Sequence, residues 1–230
     1  MKQKKYDVSL VEIPTIINAS DSHMALVFVL DVSYSMDGQP IEQLNEGLNR
    51  FREEVCRDKQ TRDILDVAII KFNDLYAIAQ DFVPIEYMTH VNLEADGGTN
   101  YTGPIREALY MVDKRSRFYR RSGSEPYKPW IILVTDGDPL DDITAVAEEI
   151  SEMQSAGKVR FIALGVGDYD IDILNQLTDV VFRMEGTDFT SFFNWMGKSM
   201  RSVSQSSPGE KAPLPPLEGN VSSDRDVSDI

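Results

Sequence analysis

Asp31-Val32-Ser33-Tyr34-Ser35 sets a carboxylate and two hydroxyls at alternate positions directly after an apolar run, Met24 to Leu30. A run of that length, rich in β-formers, reads as a buried strand whose carboxyl end delivers the three oxygen side chains into a loop. Hard oxygen ligands at such a terminus suit a divalent cation. Trp130 to Thr135 is a second buried-strand candidate, broken by Asp136-Gly137-Asp138-Pro139, which leaves a carboxylate at its tip. Between the two, Gly97-Gly98-Thr99-Asn100 offers a hydroxyl on a permissive loop. Parallel strands present their carboxyl ends to one edge of a sheet, so Asp31, Ser33, Ser35, Thr99 and Asp136 can meet there although they are far apart in sequence.

The intervening segments supply the elements that would position them. After Asp31, Pro40 suits a first helical turn, and Ile41, Leu44, Leu48, Phe51 and Val55 mark one helix face. Ile64 to Phe72 and Tyr76 to Val83 read as two strands joined by Asn73-Asp74, an antiparallel hairpin at the sheet edge. Ile105, Ala108, Leu109 and Val112 give a second helix, followed by a polar insert from Arg115 to Lys128 that is expected to be a solvated loop. A helix through Ile143, Val146, Ala147, Ile150 and Met153 stops near Gly157, and Val159 to Val166 is the next strand. A short helix through Ile171, Leu174 and Leu177 leads to a strand at Val180 to Met184. The last helix carries Phe192, Phe193, Met196, Met200 and Val203. Alternating strands and helices predict an α/β fold: a Rossmann-like open, mostly parallel sheet with one antiparallel edge strand and helices on both faces.

The domain is expected over residues 1–203, with 1–23 as an N-terminal extension. The Ser-, Pro- and Asp-rich residues 204–230 are expected to be a disordered tail, with Pro213-Leu214-Pro215-Pro216 able to form polyproline II. The 230 residues allow one well-buried core rather than two ordinary domains. A net charge of −15 argues against a nucleic-acid surface and favours a cation or a basic partner. The single cysteine, Cys56, excludes an internal disulfide and Cys-x-x-Cys metal sites. With no apolar segment following the basic start and no membrane-length apolar stretch, a cytoplasmic location and no membrane partner are the expectation.

Three motifs in this order, Asp31-x-Ser33-x-Ser35, Gly98-Thr99 and Thr135-Asp136-Gly137, resemble those of the von Willebrand factor type A (vWA) domain, over about residues 24 to 203. Ala163-Leu164-Gly165-Val166-Gly167-Asp168 resembles a strand-end pattern of its bacterial branch. The Gly97-Gly98-Thr99-Asn100 wording is similar to small bacterial members associated with tellurium resistance and stress response. The resemblance implies a metal-ion-dependent adhesion site (MIDAS) in which Asp31, Ser33, Ser35, Thr99 and Asp136 hold Mg²⁺, or Mn²⁺ or Ca²⁺ in its place. It also implies a protein partner that presents an acidic residue to the metal. Thr102 is the alternative to Thr99, because Thr99-Asn100-Tyr101-Thr102 offers two hydroxyls.

Competing readings are blander or enzymatic. Alone, Asp-x-Ser-x-Ser can be a turn that caps the next helix, and Asp138, Asp141 and Asp142 read as charge at a helix N-terminus. Gly165-x-Gly167 lacks the third glycine of a dinucleotide fingerprint and reads as a turn. A Mg²⁺-dependent phosphoester hydrolase with Asp31 as nucleophile would want a second carboxylate two residues on, where this chain has Ser33. His23 and His90, the only histidines, accompany no Gly-x-Ser-x-Gly elbow. A non-enzymatic module that binds through the metal is therefore the leading expectation, with a metal-independent scaffold behind it. The oligomeric state stays open.

Overall fold

In the computed structural model, which describes residues 21–167 and 169–227, a seven-stranded sheet runs in the order β3-β2-β1-β4-β5-β6-β7. β1 (Met24–Asp31) is paired in parallel with β2 (Leu65–Phe72) on one side and β4 (Trp130–Thr135) on the other. β5 (Arg160–Val166) and β6 (Val181–Met184) continue the parallel set, as the sequence pattern predicts. β3 (Tyr76–Pro84) is the expected antiparallel edge, formed by a hairpin back from β2.

Both faces are covered, which is why the central strands have no polar alternation. α1 (Gln39–Val55) and α6 (Thr190–Ser204) lie on one face. α3 (Thr102–Arg121), α4 (Thr144–Ser155) and α5 (Ile171–Leu177) lie on the other. The predicted stripe of α1, Ile41 to Val55, is buried throughout, as is the Phe/Met stripe of α6. α1 and α6 approach closely at Gly47, where an added Cβ would sit 2.4 Å from the Phe193 ring. Gly47→Ala is therefore expected to lower stability by about 1–3 kcal/mol despite alanine's better helix propensity. A denaturant midpoint that stays or rises would show that Phe193 can give way.

Three segments differ from the sequence reading. A short helix, α2 (Lys59–Ile64), precedes β2, with the Asp58 carboxylate accepting from Thr61 N at 3.0 Å. The polar insert is helical up to Arg121, not a solvated loop, because Arg115, Ser116 and Tyr119 continue the inward face of α3. Arg115 is only 9% exposed, and its guanidinium donates to Asp66 Oδ2 at 2.7 Å. Of the charges that made the segment look solvated, that of Arg115 is thus neutralised inside, while Arg117, Arg120 and Arg121 face outward.

The third difference is the segment after Ser204, expected to lack packed structure. Its apolar residues Ala212, Leu214, Val221 and Val227 are buried, and Trp195 Nε1 donates to Pro215 O at 2.9 Å. Val221–Ser222 forms β7, antiparallel to β6, so the sheet has two antiparallel edges rather than one. Wide spacing of those apolar residues hid their common destination, the exposed side of α6 and β6. Residues 1–20 of the expected N-terminal extension, 1–23, and residues 228–230 of the tail lie outside the described residues.

The chain leaves β1 toward β2 on one side and returns as β4 on the other. The carboxyl ends of β1 and β4 therefore flank the point where strand order reverses, the position at which open α/β sheets form binding crevices.

Candidate metal centre

Asp31 is the last residue of β1 and is fully buried. Its Oδ1 accepts from Ser33 N at 2.8 Å and its Oδ2 from the Thr135 hydroxyl at 2.6 Å, so the carboxylate is held on both oxygens. Ser33 begins a single 3₁₀ turn, Tyr34–Met36, which brings the Ser33 and Ser35 hydroxyls to 3.0 Å. Ser35 Oγ in turn donates to Asp136 Oδ1 at 2.6 Å, across the gap between the β1 and β4 loops. The structure thus joins Ser33, Ser35 and Asp136 in a hydrogen-bonded row beside Asp31.

Thr99 arrives from the third loop. Tyr34 N donates to Gly97 O at 2.9 Å, and Leu140 N to Thr99 O at 2.8 Å, which tie this loop to the other two. The Ser35 and Thr99 hydroxyl oxygens each lie 3.7 Å from the position a Cβ would take on Gly137, so they face a common space that a side chain there would begin to fill. All five predicted oxygens therefore converge on one edge of the sheet. Thr102 does not join them: it opens α3, and its hydroxyl donates to Asp142 O at 3.1 Å.

The acidic neighbours divide by role. Asp141 accepts from Tyr101 N and Thr102 N, both at 2.8 Å, and so caps α3 rather than the helix that follows it. Asp142 accepts from Thr144 N at 2.9 Å at the start of α4, and Asp138 from Asp170 N at 3.2 Å. The helix-terminus reading holds for Asp141 and Asp142. Gly165-x-Gly167 is a strand end and turn: Gly165 lies against the Tyr169 ring and Gly167 has φ +68°.

Two supporting residues were not singled out from the sequence. Thr135 sits inside the Thr135-Asp136-Gly137 motif, yet its hydroxyl serves Asp31. Tyr101 is fully buried; its hydroxyl meets Thr135 Oγ1 at 3.0 Å and donates to Gly137 O. An aromatic at a helix start signals core, so no sequence feature marked Tyr101. Asp74, at the β2–β3 turn, accepts from Gly98 N at 2.8 Å and steadies the Thr99 loop.

The electrostatics suit a cation. Burial pushes the Asp31 carboxyl up from 3.8 to about 6, against its hydrogen bonds from Ser33 and Thr135, with the charge of Asp136 adding to the rise. Burial also raises Asp136, opposed by the bond from Ser35. Among the described residues no basic side chain influences either group, so these two partly desolvated carboxylates have only hydroxyls and backbone N–H groups to offset their charge. Among the described residues no three His, Cys, Asp or Glu side chains gather as a metal cluster. The donor set here is of another kind, two carboxylates with neutral hydroxyls, which fits a hard cation that keeps part of its water shell.

Comparison with known proteins agrees with the geometry. Residues 25–194 match the von Willebrand factor type A domain. The chain belongs to this family. Curated vWA relatives include human inter-alpha-trypsin inhibitor heavy chain H6, 28% identical over 66% of this chain and 12% of that protein. Heavy chain H1 of Mesocricetus auratus is 25% identical over 67% and 17%. The chain thus spans less than a fifth of the length of these relatives.

Solved vWA-type structures share the fold at lower identity. The pilus adhesin SpaC from Lactobacillus rhamnosus GG superposes with a TM-score of 0.65 at 14% identity, over 79% of this chain and 31% of that one. The vWF domain of the pilus tip protein Mfa5 from Porphyromonas gingivalis gives 0.61 at 11%, over 82% and 98%. Proximal thread matrix protein 1 from the mussel byssus, in a structure with a zinc-occupied MIDAS motif, gives 0.55 at 21%, over 82% and 46%. By name these are inhibitor heavy chains, a pilus adhesin, a pilus tip protein and a thread matrix protein.

The cytoplasmic expectation is overturned by the same relatives, because pili and byssal threads are structures outside the cell. It had rested on the lack of an apolar segment. Among the described residues no helix is long and apolar enough to cross a membrane, which does not specify a compartment.

Proposed function

We propose that this vWA domain is a non-enzymatic binding module that holds a protein partner through a divalent cation, bound by Asp31, Ser33, Ser35, Thr99 and Asp136. The observation that supports this reading is a buried Asp31 and a half-buried Asp136, joined through hydroxyls and with no basic side chain among the influences on either carboxylate, at the strand-order switch. Mg²⁺ is the first choice among ions, with Mn²⁺ or Ca²⁺ as substitutes; the zinc in the byssus protein supports a divalent ion of some kind. Two carboxylates balance the charge of a divalent ion, and five protein ligands leave one position of an octahedral shell, which a carboxylate oxygen of the partner takes.

The surface around the site supports a protein ligand. Tyr34 (72% exposed), Leu75 (78%) and Leu140 (73%) are the most exposed large apolar side chains, and each lies on one of the site's loops or the turn beside them. The narrower reading, an adaptor in a bacterial tellurium-resistance or stress complex, has the Gly97-Gly98-Thr99-Asn100 wording behind it and nothing in the relatives above.

Two measurements test the module. Partner captured on the immobilised domain in Mg²⁺ should be released by chelator and recovered by adding the ion back; capture indifferent to chelator would move the reading to a metal-independent surface. Thr99→Val is expected to weaken metal binding about tenfold, the loss of one charge-assisted contact. Thr102→Val should leave it unchanged. The reverse pattern in a calorimetric titration would reassign the hydroxyl ligand.

A further inference from the structure

The opposite edge of the sheet, where β4 and β5 begin, carries a feature that metal-mediated binding does not use. A cleft of about 480 Å³ is lined by Lys128, Arg160, Gln154, Thr178 and Arg225 among others, and an adjoining cleft of about 290 Å³ shares Lys128 and Arg160. Arg160 starts β5, and its guanidinium lies 4.8 Å over the Trp130 ring. Burial pulls the Arg160 guanidinium down to about 10, and both burial and Arg160 itself lower Lys128. In a chain of net charge −15, two cations are thus held next to each other.

Neither has an acidic partner among the described residues. Three other arginines show the contrast: Arg115 is paired with Asp66, Arg183 with Asp224, and Arg225 with Asp179, both of which line the same cleft. Glu210, which lines the adjoining cleft, accepts from Ser207 N at 3.1 Å. Neutralising a helix end does not explain the pair. α4 ends beside them at Gly157 (φ +67°), where Gly157 N donates to Gln154 O and Lys158 N to Met153 O, both at 2.9 Å, so those two carbonyls already have partners. Gln154 Oε1 accepts from Phe161 N at 3.1 Å, which leaves its amide nitrogen as a further donor on the wall. A partly buried cation without a counter-charge is costly, and a second beside it more so.

We propose that this cleft binds a tetrahedral oxyanion, the phosphate or sulfate group of a small ligand, between the Arg160 guanidinium and the Lys128 ammonium. A planar guanidinium that presents paired N–H donors and a neighbouring ammonium suit such a group, with the Gln154 amide as a third contact. The site is separate from the metal centre by the length of β4, about 20 Å at the rise of a strand.

The test is thermal unfolding and phosphorus NMR of the full chain in divalent-free buffer, titrated with inorganic phosphate or sulfate against chloride and acetate at matched ionic strength. Saturable stabilisation by phosphate or sulfate beyond that by chloride and acetate is expected, and the better of the two identifies a phosphorylated or a sulfated ligand. Arg160→Gln and Lys128→Gln should each weaken the effect at least tenfold, while Asp31→Asn leaves it unchanged. Should Arg160→Gln fail to fold, Lys128→Gln, an exposed side chain at the mouth, decides alone. A response no greater than that to chloride, an equal response to acetate, or undiminished affinity in Lys128→Gln would overturn the proposal.

Discussion

Asp31→Asn is expected to abolish the metal response of this domain while leaving the metal-free protein at least as stable as the wild type at neutral pH. The two halves of that result come from one cause. A folded-state carboxyl raised from 3.8 to about 6 is better tolerated protonated than ionised. Its contribution is full below about pH 4 and is lost as pH rises through about 6, which by linkage removes about 3 kcal/mol at pH 7. Asn carries no charge to desolvate and keeps an oxygen for one of the two hydrogen bonds, so most of that cost disappears.

In the wild type, the proposed cation would supply the missing counter-charge and restore the ionised form. At an ion concentration a hundred times Kd, the gain is about 2.7 kcal/mol. For a domain of this size, that raises Tm by roughly 5–11 °C. The metal competes with the proton at Asp31, so the shift should shrink as pH falls through about 6. A shift of equal size at pH 5 and pH 8, or one retained in Asp31→Asn, would place the ion elsewhere.

The second large effect lies at the other end of β2. Arg115→Met leaves the Asp66 carboxylate, 3% exposed, without its guanidinium in an interior that also contains Tyr119 and Phe82. An uncompensated buried charge costs about 3–5 kcal/mol. The Tyr119 hydroxyl also donates to Asp66, so part of the solvation survives. The double variant Asp66→Leu with Arg115→Met should recover most of the loss, because a buried ion pair contributes little beyond a well-packed apolar pair. Urea midpoints of wild type, single and double variants read this directly. A single variant as stable as wild type would mean that water reaches Asp66. The metal response should persist in all of these proteins, since the pair sits at the amino end of the strands.

The same pair shows where the sequence is hard to read. Strands β1, β4 and β5 are legible because they are covered on both faces and so are apolar between their end residues, and Asp31, Ser33, Ser35 and Asp136 come directly at the carboxyl ends of β1 and β4. The stripe of α3 breaks at Arg115, since a buried arginine looks like a surface residue until Asp66, 49 positions earlier, is known to face it. The tail is obscure for a different reason. Leu214 and Val221 are isolated apolar residues in a polar segment, and only the open flank of β6 and α6 gives them a common destination. At the proposed metal centre the candidate ligands announce themselves by type and spacing. Tyr101 and Thr135 do not, because their part is to hold Asp31 and the Gly137 turn in place, a role any buried hydroxyl of the right reach can fill.

Manganese binding followed by electron paramagnetic resonance tests the central claim most directly, because free aqueous Mn²⁺ gives a signal that bound ion loses. One Mn²⁺ should bind per wild-type chain, Mg²⁺ should displace it, and Asp31→Asn and Asp136→Ala should each bind none at the same concentration. Binding of equal stoichiometry and affinity in both variants, or none in the wild type, would contradict a cation held between the β1 and β4 loops.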